Sequence, residues 1–280
     1  MNTSPHDLAA AAASRLAAWI AEHAPEGIVV LTGAGISTAS GIPDFRSPGT
    51  GLWETLDPME AMSLASFSRD PEHFYRLAME TWLPPILAAK PNPAHFALAE
   101  LEAAGYIRSV ITQNIDGLHQ AAGSRQVWEI HGNVRESECL RCGYRGKLDL
   151  PAWSAPPGAS PAGPPALPAS SRPDGASGPP ALPPRCPRCQ APLKPAIVLF
   201  GEPMSPAFTR AWEAAREAAA MIVVGSSLQV APAAYLPDLA RHLVINNLEP
   251  TPADERAELL FPAPAAELWA AVPPLLGLSG

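Results

Sequence analysis

The sequence lacks any long hydrophobic run. Hydrophobic residues make up 47% of its 280 residues, yet no apolar stretch approaches the roughly 18 residues that a membrane-spanning helix needs. The first residues also lack the basic region and apolar core of a secretory leader. Instead, Ser4 and Pro5 are typical of a helix cap followed by proline at the first helical position, and they predict an alanine-rich helix through about Ala24. We therefore expect a cytoplasmic protein with no membrane partner.

Positive charge is also scarce. The chain has 19 Lys and Arg against 27 Asp and Glu, which gives a formal net charge of -8. A protein that binds the phosphate backbone of nucleic acid needs clustered basic residues. The charge balance therefore argues against a direct nucleic-acid partner and is neutral about basic peptide substrates.

The length fits one large domain or a large domain with a smaller one, and we expect a monomer.

Cysteine is limited to four residues in two C-x-x-C pairs, Cys139 with Cys142 and Cys186 with Cys189. Two such pairs supply four thiolates for tetrahedral zinc. The separation between the pairs exceeds the usual range of roughly 15 to 20 residues, but a flexible loop adds only slowly to closure entropy. Four protein ligands leave no open coordination position, so the metal would be structural and would not activate water. Two disulfides or a redox C-x-x-C are the alternatives.

Proline, by contrast, is abundant, with 35 residues in the chain. The segment 151–185, between the two cysteine pairs, consists mainly of Pro, Ala, Gly and Ser. Such a segment cannot bury enough apolar surface to offset the entropy lost on ordering. We predict a disordered loop here, and a proline-rich docking site is the alternative.

Apolar runs typical of buried strands alternate mostly with helical segments along the rest of the chain. They lie at 28–32, 107–112, 126–130, 196–200, 221–225 and 242–246. This alternation predicts an α/β fold with a largely parallel sheet. Two well-delimited helices are predicted from Asn92 to Gly105 and from Pro206 to Ala220. The alternation stops between Cys139 and Cys189, which indicates a small inserted module.

A glycine turn after the first apolar run indicates a nucleotide site. Gly33 and Gly35 let the backbone approach a phosphate, and the helix expected after them would point its free N–H groups at the anion. The dehydrogenase fingerprint needs a third glycine, but Thr38 occupies that position. The turn therefore favours a nucleotide and weakens a hydride-transfer function. A turn without a ligand is the plain alternative.

Polar residues follow three of the predicted strands at their carboxyl ends, where open α/β sheets bind ligands. They are Gln113, Asn114 and Asp116 after the second run, His131 after the third, and Ser226 and Ser227 after the fifth. Ordinary roles as turn formers, helix caps or a loop histidine are the alternatives. His131 is the candidate general base because an imidazole titrates near neutral pH. Surface or packing roles are expected for His73, His95 and His119, which lie in helix-like runs.

Seven motifs occur in the order that is typical of the sirtuin (Sir2) family. They are GAGIS-x-x-SGIPDFR at 33–46, TQNID at 112–116, IHG at 130–132, the two C-x-x-C pairs, FGE at 200–202, GSSLQVAPAA at 225–234 and NLEPT at 247–251. The chain resembles sirtuins over nearly its whole length. The resemblance implies a Rossmann-like doubly wound parallel sheet with a small zinc-binding module inserted, one structural Zn²⁺, and NAD as a co-substrate.

The activity that the resemblance implies is NAD-dependent protein-lysine deacetylation (deacylation). The acyl-lysine carbonyl oxygen would attack C1′ as nicotinamide leaves, and the acyl group would end on ADP-ribose. His131 would act as the general base on a ribose hydroxyl. The partners would be acyl-lysine proteins or peptides.

By the same resemblance, the Rossmann-like domain spans 1–53, 91–133 and 197–280. The helical part of the small domain with the cofactor-binding loop spans 54–90, and the zinc module spans 134–196.

The resemblance also implies roles for individual residues, with His131 and Asn114 as the catalytic pair. The residues expected to bind the cofactor are Gly33, Ala34, Gly35, Asp44, Phe45, Arg46, Trp53, Gln113, Asn114, Ile115, Asp116, Gly225, Ser226, Ser227, Asn247, Leu248 and Glu249. Main-chain pairing with the substrate peptide is expected from Val198, Leu199, Phe200, Gly201 and Glu202. Phe261-Pro262-Ala263-Pro264 replaces the glycine-containing loop that the family usually has near the adenine, so no contact is assigned there.

The helix around Tyr75 predicts a preference for neutral acyl groups such as acetyl. Succinyl and malonyl specialists of the family carry a Tyr and an Arg three residues apart, where one helical turn aims both at the acyl carboxylate. In this chain Ala78 stands at that spacing from Tyr75, and Arg76 is merely adjacent.

The competing functions are a protein mono-ADP-ribosyltransferase on the same site, a non-catalytic zinc-ribbon interaction protein and, more distantly, a dehydrogenase.

Overall fold

The structure, a computed structural model, describes residues 5–44, 51–148 and 182–278, and their side chains from residue 9 onward. Phe45, Arg46 and most of the proline-rich segment lie outside the described residues. The strands are β1 (Ile28–Thr32), β2 (Ser109–Thr112), β3 (Val127–Glu129), β4 (Gly132–Glu138), β5 (Arg145–Lys147), β6 (Lys194–Ile197), β7 (Ala220–Val224), β8 (His242–Asn246) and β9 (Leu259–Phe261).

The described α-helices include six short ones of four to six residues. They are α1 (Pro5–His23), α2 (Pro58–Ala61), α3 (Leu64–Arg69), α4 (Pro71–Glu80), α5 (Leu83–Ala88), α6 (Pro93–Ala103), α7 (Leu118–Ala122), α8 (Pro206–Glu217), α9 (Ala265–Ala270) and α10 (Val272–Leu275). None of the described helices is long and apolar enough to cross a membrane.

Six strands form a parallel sheet in the order β3-β2-β1-β7-β8-β9. Numbered by appearance in this sheet, the order is 3-2-1-4-5-6, which is that of a Rossmann-like doubly wound fold. The strand order reverses between β1 and β7. The carboxyl ends of these two strands therefore flank the crevice in which such folds bind ligands.

Helices cover both faces of this sheet. Val30 and its neighbours on one face pack against α1, α6, α9 and α10, with Trp269 fully buried among them. Leu31 and the alternate residues on the other face pack against α8 and the 3₁₀ segment Ala233–Leu239. A strand buried on both faces has no polar side, which explains why the sequence shows continuous apolar runs. The predicted α/β fold class is confirmed.

A second, smaller sheet has three antiparallel strands in the order β5-β4-β6. It lies next to the four cysteines, and its strands β4 and β6 share a hydrophobic cluster with helices α3 to α5. Phe74, Tyr75 and Leu83 are fully buried in that cluster. This sheet and the cysteines form the small zinc-binding part that the sequence predicts beside the large sheet.

Two predictions about secondary elements are wrong. The apolar run at 196–200 is not a strand of the large sheet, because β6 ends at Ile197 and pairs antiparallel with β4. The helix expected after Gly35 is replaced by two 3₁₀ turns, Ala34–Ile36 and Thr38–Ser40. The sixth strand of the large sheet, β9, has only three residues and no clear pattern in the sequence. The other predicted strands and the helices α1, α6 and α8 are present within about three residues of the predicted bounds.

Candidate functional site

One cavity of about 640 Å³ lies at the carboxyl ends of β1, β2, β7 and β8. Its wall contains His131 and all the described residues that the sequence assigns to cofactor and substrate. These are Gly33, Ala34, Gly35, Asp44, Trp53, Gln113, Asn114, Ile115, Asp116, Gly225, Ser226, Ser227, Asn247, Leu248, Glu249 and the five residues 198–202. The structure therefore brings these residues together, while their individual roles stay predictions.

The floor of the cavity depends on a close backbone contact between the loops after β1 and β7. Gly35 donates its N–H to the carbonyl of Gly225 at 2.9 Å. A Cβ on Gly225 would lie 2.3 Å from the Ile36 nitrogen, and Gly225 has a positive φ of 62°. A Cβ on Gly33 would lie 2.6 Å from the Gly225 carbonyl oxygen. These glycines therefore let two loops meet, which is a requirement separate from any approach to a phosphate.

A hydrogen-bonded cluster joins three of the cavity residues. Asn114 donates from Nδ2 to the Gly33 carbonyl and to Ser37 Oγ, both at 3.1 Å. Ser37 in turn donates to Asp116 Oδ2 at 2.8 Å, and the other carboxylate oxygen accepts from the Leu118 N–H at 2.9 Å. Burial raises the pKa of Asp116, although these hydrogen bonds lower it in part. The cluster therefore fixes the Asn114 and Asp116 side chains in the cavity wall.

Two buried histidines extend this cluster beneath the cavity. His95 Nδ1 accepts the Asn92 N–H at 3.3 Å, so its Nε2 carries the proton that faces Ser37 Oγ at 3.5 Å. The ring of His119 lies 4.9 Å from that of His95, and its Nε2 bonds Thr32 Oγ1 at 2.9 Å. Burial lowers the pKa of His95 to about 4 and that of His119 to about 3. Both imidazoles are therefore neutral at pH 7.

His131 lies between the two sheets, two residues after the end of β3 and directly before β4. Its Nδ1 is 3.0 Å from the Gln113 carbonyl oxygen. A carbonyl can only accept, so Nδ1 carries the proton and the lone pair is on Nε2. Burial lowers the pKa of His131, and the bond to the Gln113 carbonyl offsets part of that decrease. His131 is thus a neutral imidazole, of fixed tautomer, in the cavity wall, as a general base requires.

Gln113 holds the two sides of the site together. Its carbonyl binds His131, and its side-chain amide donates to Ser226 Oγ at 2.8 Å. Its N–H donates to the carbonyl of Thr32 at the end of β1. Gln113 therefore connects His131 to the loop after β7, and its own backbone is fixed by strand β1 of the sheet.

The segment 198–202 crosses the cavity wall after β6. Val198 donates its N–H to the His131 carbonyl, and Phe200 pairs with the backbone of Met62 and Leu64 through its N–H and its carbonyl. Glu202 closes the segment by accepting the Leu199 N–H at 2.9 Å. The N–H groups of Val198, Leu199 and Phe200 therefore already have partners within the chain, and the segment turns at Gly201, whose φ is 91°.

A buried lysine anchors this segment. Lys194 is fully buried and forms ion pairs of 2.9 Å with both Glu138 and Glu202. Glu138 directly precedes Cys139, while Glu202 belongs to the segment at the cavity. Lys194 therefore joins the cysteine cluster to the cavity wall through two charged hydrogen bonds.

The four cysteines meet in one cluster. The Sγ atoms of Cys139 and Cys189 are 3.5 Å apart, those of Cys142 and Cys186 are 3.6 Å apart, and all four lie within 4.8 Å of one another. All four are free thiols. Zinc bound tetrahedrally at about 2.3 Å from each sulfur needs sulfur spacings of about 3.8 Å. The cluster therefore fits one structural zinc ion with a small adjustment, and its four ligands leave the metal no role in catalysis.

The cavity wall also contains residues that the sequence did not identify. Ser37 is among them, although it lies inside the GAGIS motif and follows a glycine turn. The others are Thr38, Ile42, Pro43, Met62, Ile86, Ile197, Pro203, Met204, Gln229, Val230, Ala231, Pro232, Asn246, Pro250, Ala263, Pro264 and Ala265. The segment near Pro264, to which no contact was assigned, therefore faces the cavity. No described residue of the wall is Lys or Arg.

Comparison with known proteins gives one consistent answer. The family model described as Sir2 family matches residues 33–232. A protein named NAD-dependent protein deacetylase 2, from Caldanaerobacter subterraneus subsp. tengcongensis, is 46% identical to this chain over 233 residues, which cover 83% of this chain and 84% of that protein.

Solved structures of the same fold contain bound ligands. One is described as Sir2 with a p53 peptide and NAD⁺. It has a TM-score of 0.72 and 39% identity, and the match covers 90% of this chain and 94% of that chain. Another contains a Sir2 variant with a deacetylated p53 peptide and 3′-O-acetyl ADP ribose. Its TM-score is 0.77 at 37% identity, with coverage of 95% and 98%.

Proposed function

The chain belongs to the Sir2 family, and we propose that it is an NAD-dependent protein-lysine deacetylase that transfers the acyl group from lysine to ADP-ribose and releases nicotinamide. The observation that carries this function is the state of His131. Its Nδ1–H is committed to Gln113, and its Nε2 lone pair remains for a proton in the same cavity as the Asn114 cluster. The names of the relatives and the ligands in the neighbouring structures support the same activity.

His131 acts as the general base. NAD, the co-substrate, supplies the ribose carbon C1′, which the acyl oxygen attacks as nicotinamide leaves. Nε2 of His131 then takes the proton of a ribose hydroxyl, and that oxygen bonds to the acyl carbon. The bond from this carbon to the lysine nitrogen breaks, the lysine leaves as its protonated amine, and water supplies the oxygen that completes the acyl ester of ADP-ribose. Gln113 keeps the base in the required tautomer. The Ser37 and Asn114 side chains hold each other in place beside the position where nicotinamide is expected.

The remaining candidates divide between the two ends of the co-substrate. Ile115 and Asp116 lie at the nicotinamide end, where buried apolar surface excludes water from the reacting carbon. Ser226, Asn247 and Glu249 lie at the adenosine end. The four cysteines hold the structural zinc away from the reacting groups.

Neutral acyl groups are the proposed substrates. Tyr75 is fully buried, and its hydroxyl donates to the Leu193 carbonyl at 3.0 Å, which directs it away from the cavity. Arg76 lies on the surface and pairs with Glu72 at 3.6 Å. With no Lys or Arg among the described wall residues, a succinyl carboxylate would meet no described cation. Acetyl-lysine peptides should therefore react faster than succinyl-lysine peptides of the same sequence.

Acyl-lysine peptides are the partners, and we propose that they pair with the backbone at 198–202. A monomer without nucleic-acid or membrane partners and a cytoplasmic location remain proposals. Four cysteines arranged to bind zinc, with no disulfide among them, support a reducing compartment. The division into a domain of 1–53, 91–133 and 197–280, a helical part of 54–90 and a zinc module of 134–196 is likewise proposed. The separation of a large and a small sheet supports it, although β4 begins at Gly132 and β6 ends at Ile197, outside the bounds of the zinc module.

The test is incubation of the zinc-loaded protein with an acetyl-lysine peptide, with and without NAD, followed by mass spectrometry of the peptide. Loss of the acetyl group only when NAD is present is expected. A peptide that gains the mass of ADP-ribose and keeps its acetyl group would identify a mono-ADP-ribosyltransferase instead. An unchanged peptide in both samples would favour a non-catalytic protein.

A further inference from the structure

A second cluster of metal-binding side chains lies at the edge of the large sheet opposite the cavity. His23 is the last residue of α1, His242 is the first residue of β8, and Glu258 directly precedes β9. Their ligand atoms all lie within 4.8 Å of one another. Because β8 and β9 run parallel, their amino ends lie together, far from the carboxyl ends that form the cavity.

Neighbouring groups already orient two of these three side chains. His23 Nδ1 is 2.9 Å from the Trp19 carbonyl, to which it can only donate, so its Nε2 keeps a lone pair. Trp19 also donates its indole N–H to Glu258 Oε2 at 2.7 Å, which leaves Oε1 for another partner. Histidine ligands of metals usually donate their second ring nitrogen to a carbonyl or carboxylate in this way.

The third side chain completes the arrangement. His242 Nδ1 is 2.7 Å from Glu258 Oε1, and the His242 ring lies 4.5 Å from that of His23. The two side chains of the pair are partly exposed, at 33% and 40%, while His23 is buried. A metal ion would replace the proton between His242 and Glu258. Tetrahedral coordination of zinc would place these ligand atoms about 3.3 Å from one another.

We propose that His23, His242 and Glu258 bind a divalent transition metal such as Zn²⁺, at a site separate from the four cysteines. Two imidazoles and one carboxylate form a ligand set that zinc accepts in proteins. The partial exposure of His242 and Glu258 leaves the remaining coordination position to water. The ion would join the end of α1 to the amino ends of β8 and β9.

The experiment counts metal ions in the full chain purified with one zinc per molecule. Zn²⁺ is added by isothermal titration calorimetry, and the metal bound to the protein is then measured by mass spectrometry after desalting. The wild type should take up a second equivalent. His242→Ala and Glu258→Gln should weaken that second equivalent at least about tenfold and keep the first. Glu258→Gln can still accept the Trp19 hydrogen bond, so it tests the ligand without removing that contact.

His73→Ala is the matched control, because His73 forms an exposed pair with Glu60 at 3.1 Å that resembles the His242–Glu258 pair, but no third ligand joins it among the described residues. It should bind the second zinc as the wild type does. Co²⁺ added to the zinc-loaded protein should give weak visible bands without thiolate charge transfer. The proposal is overturned if the wild type binds only one zinc, if both cluster variants bind the second as tightly as the wild type, or if the Co²⁺ spectrum shows thiolate ligands.

Discussion

At the scale of single residues, the proposed chemistry depends on the conformation and tautomer of His131. Gly132 follows it with a φ of 74°, and a Cβ at that position would lie 2.0 Å from the Ala196 carbonyl oxygen. Glycine is therefore required for the chain to turn from β3 into β4 with the imidazole in the cavity. The IHG motif combines the base with the turn that positions it.

Activity should persist at mildly acidic pH because burial lowers the pKa of His131. The neutral imidazole is the active form, so a lowered pKa moves the loss of activity to lower pH. We expect kcat/KM for an acetyl-lysine peptide to stay nearly constant from pH 8 to about 6.5, the ordinary histidine pKa, and to decrease below it. A decrease that begins above pH 7 would show that the imidazole is not held in this environment.

Stability should decrease on acidification because of His95 and His119. Their pKa values are about 4 and about 3 in the folded chain, against about 6.5 in the unfolded chain. Below about pH 6.5 the unfolded chain therefore binds more protons than the folded chain. Because of this, each histidine should lower the free energy of unfolding by about 2 kcal/mol between pH 8 and pH 5.

Denaturant unfolding at pH 8 and pH 5 measures this effect. His119→Gln should be less stable than the wild type at pH 8 and should lose less stability between the two pH values. His73→Ala, with an exposed histidine, should show the wild-type pH dependence. An equal pH dependence in His119→Gln and the wild type would contradict the assignment.

Residues at strand ends could be predicted from the sequence, but their contacts could not. Gln113, Asn114 and Asp116 follow an apolar run, and parallel strands place such residues at one edge. Ser37 reaches Asp116 only through folding of two separate loops, so no local pattern shows that pair. The sequence suggested a surface or packing role for His95 and His119, and it did not show that they support the Ser37 and Thr32 side chains.

At the scale of elements, the contact between the loops after β1 and β7 forms the floor of the site. Gly225→Ala should disrupt it, because a Cβ would contact the backbone of Gly35 and Ile36, which cannot move independently of β1. We expect a loss of several kcal/mol in unfolding free energy and a loss of NAD binding, measured by denaturant unfolding and calorimetry.

Gly41→Ala is the control for that substitution. Gly41 also has a positive φ, of 85°, but a Cβ there would meet no atom within 4 Å. It should cost only the conformational penalty of about 1 to 2 kcal/mol. Equal losses in the two variants would show that the close contact between the loops contributes little.

Lys194 should be a positioning residue for the peptide segment. Lys194→Met leaves the Glu138 and Glu202 carboxylates without their shared cation, and breaking such a buried pair typically costs about 3 to 5 kcal/mol. The segment 198–202 would lose its anchor, so KM for the peptide should increase more than kcat decreases. Peptide kinetics and denaturant unfolding of the same samples measure both effects.

Arg145→Met is the matched control, since Arg145 pairs with the same Glu138 at 2.8 Å but is 60% exposed. Exposed ion pairs contribute at most about 1 kcal/mol, so this variant should resemble the wild type in stability and KM. If Lys194→Met changes kcat and leaves KM unaltered, Lys194 does not act through the peptide segment.

Four strands of the large sheet, β1, β2, β7 and β8, were predictable because they are buried on both faces. The run at 196–200 has the same composition, and its sheet could not be assigned because periodicity does not identify the pairing partner. Strand β9 was missed because three residues carry no periodicity. The helix after Gly35 was expected from the usual nucleotide-binding pattern, but the loop instead turns twice as a 3₁₀ helix against Gly225.

At the scale of the whole molecule, the site lies where the chain passes between the two sheets. His131 stands on the passage from β3 to β4, and the segment 198–202 stands on the return from β6 to α8. The base and the proposed peptide segment are therefore adjacent, and the Val198 N–H bonds the His131 carbonyl at 2.8 Å. Lys194 pairs with Glu138, next to Cys139, and with Glu202 of this segment, so the cysteine cluster is connected to the cavity wall without facing the cavity.

The most direct test of the acyl-transfer mechanism is a time course that quantifies every product of one incubation with NAD and an acetyl-lysine peptide. Liquid chromatography with mass spectrometry measures nicotinamide, deacetylated peptide and O-acetyl-ADP-ribose together. We predict equal amounts of the three from the wild type, and at least a hundredfold slower formation of O-acetyl-ADP-ribose by a folded, zinc-loaded His131→Ala variant. Free acetate and ADP-ribose as the first products, or near-normal turnover by His131→Ala, would contradict it.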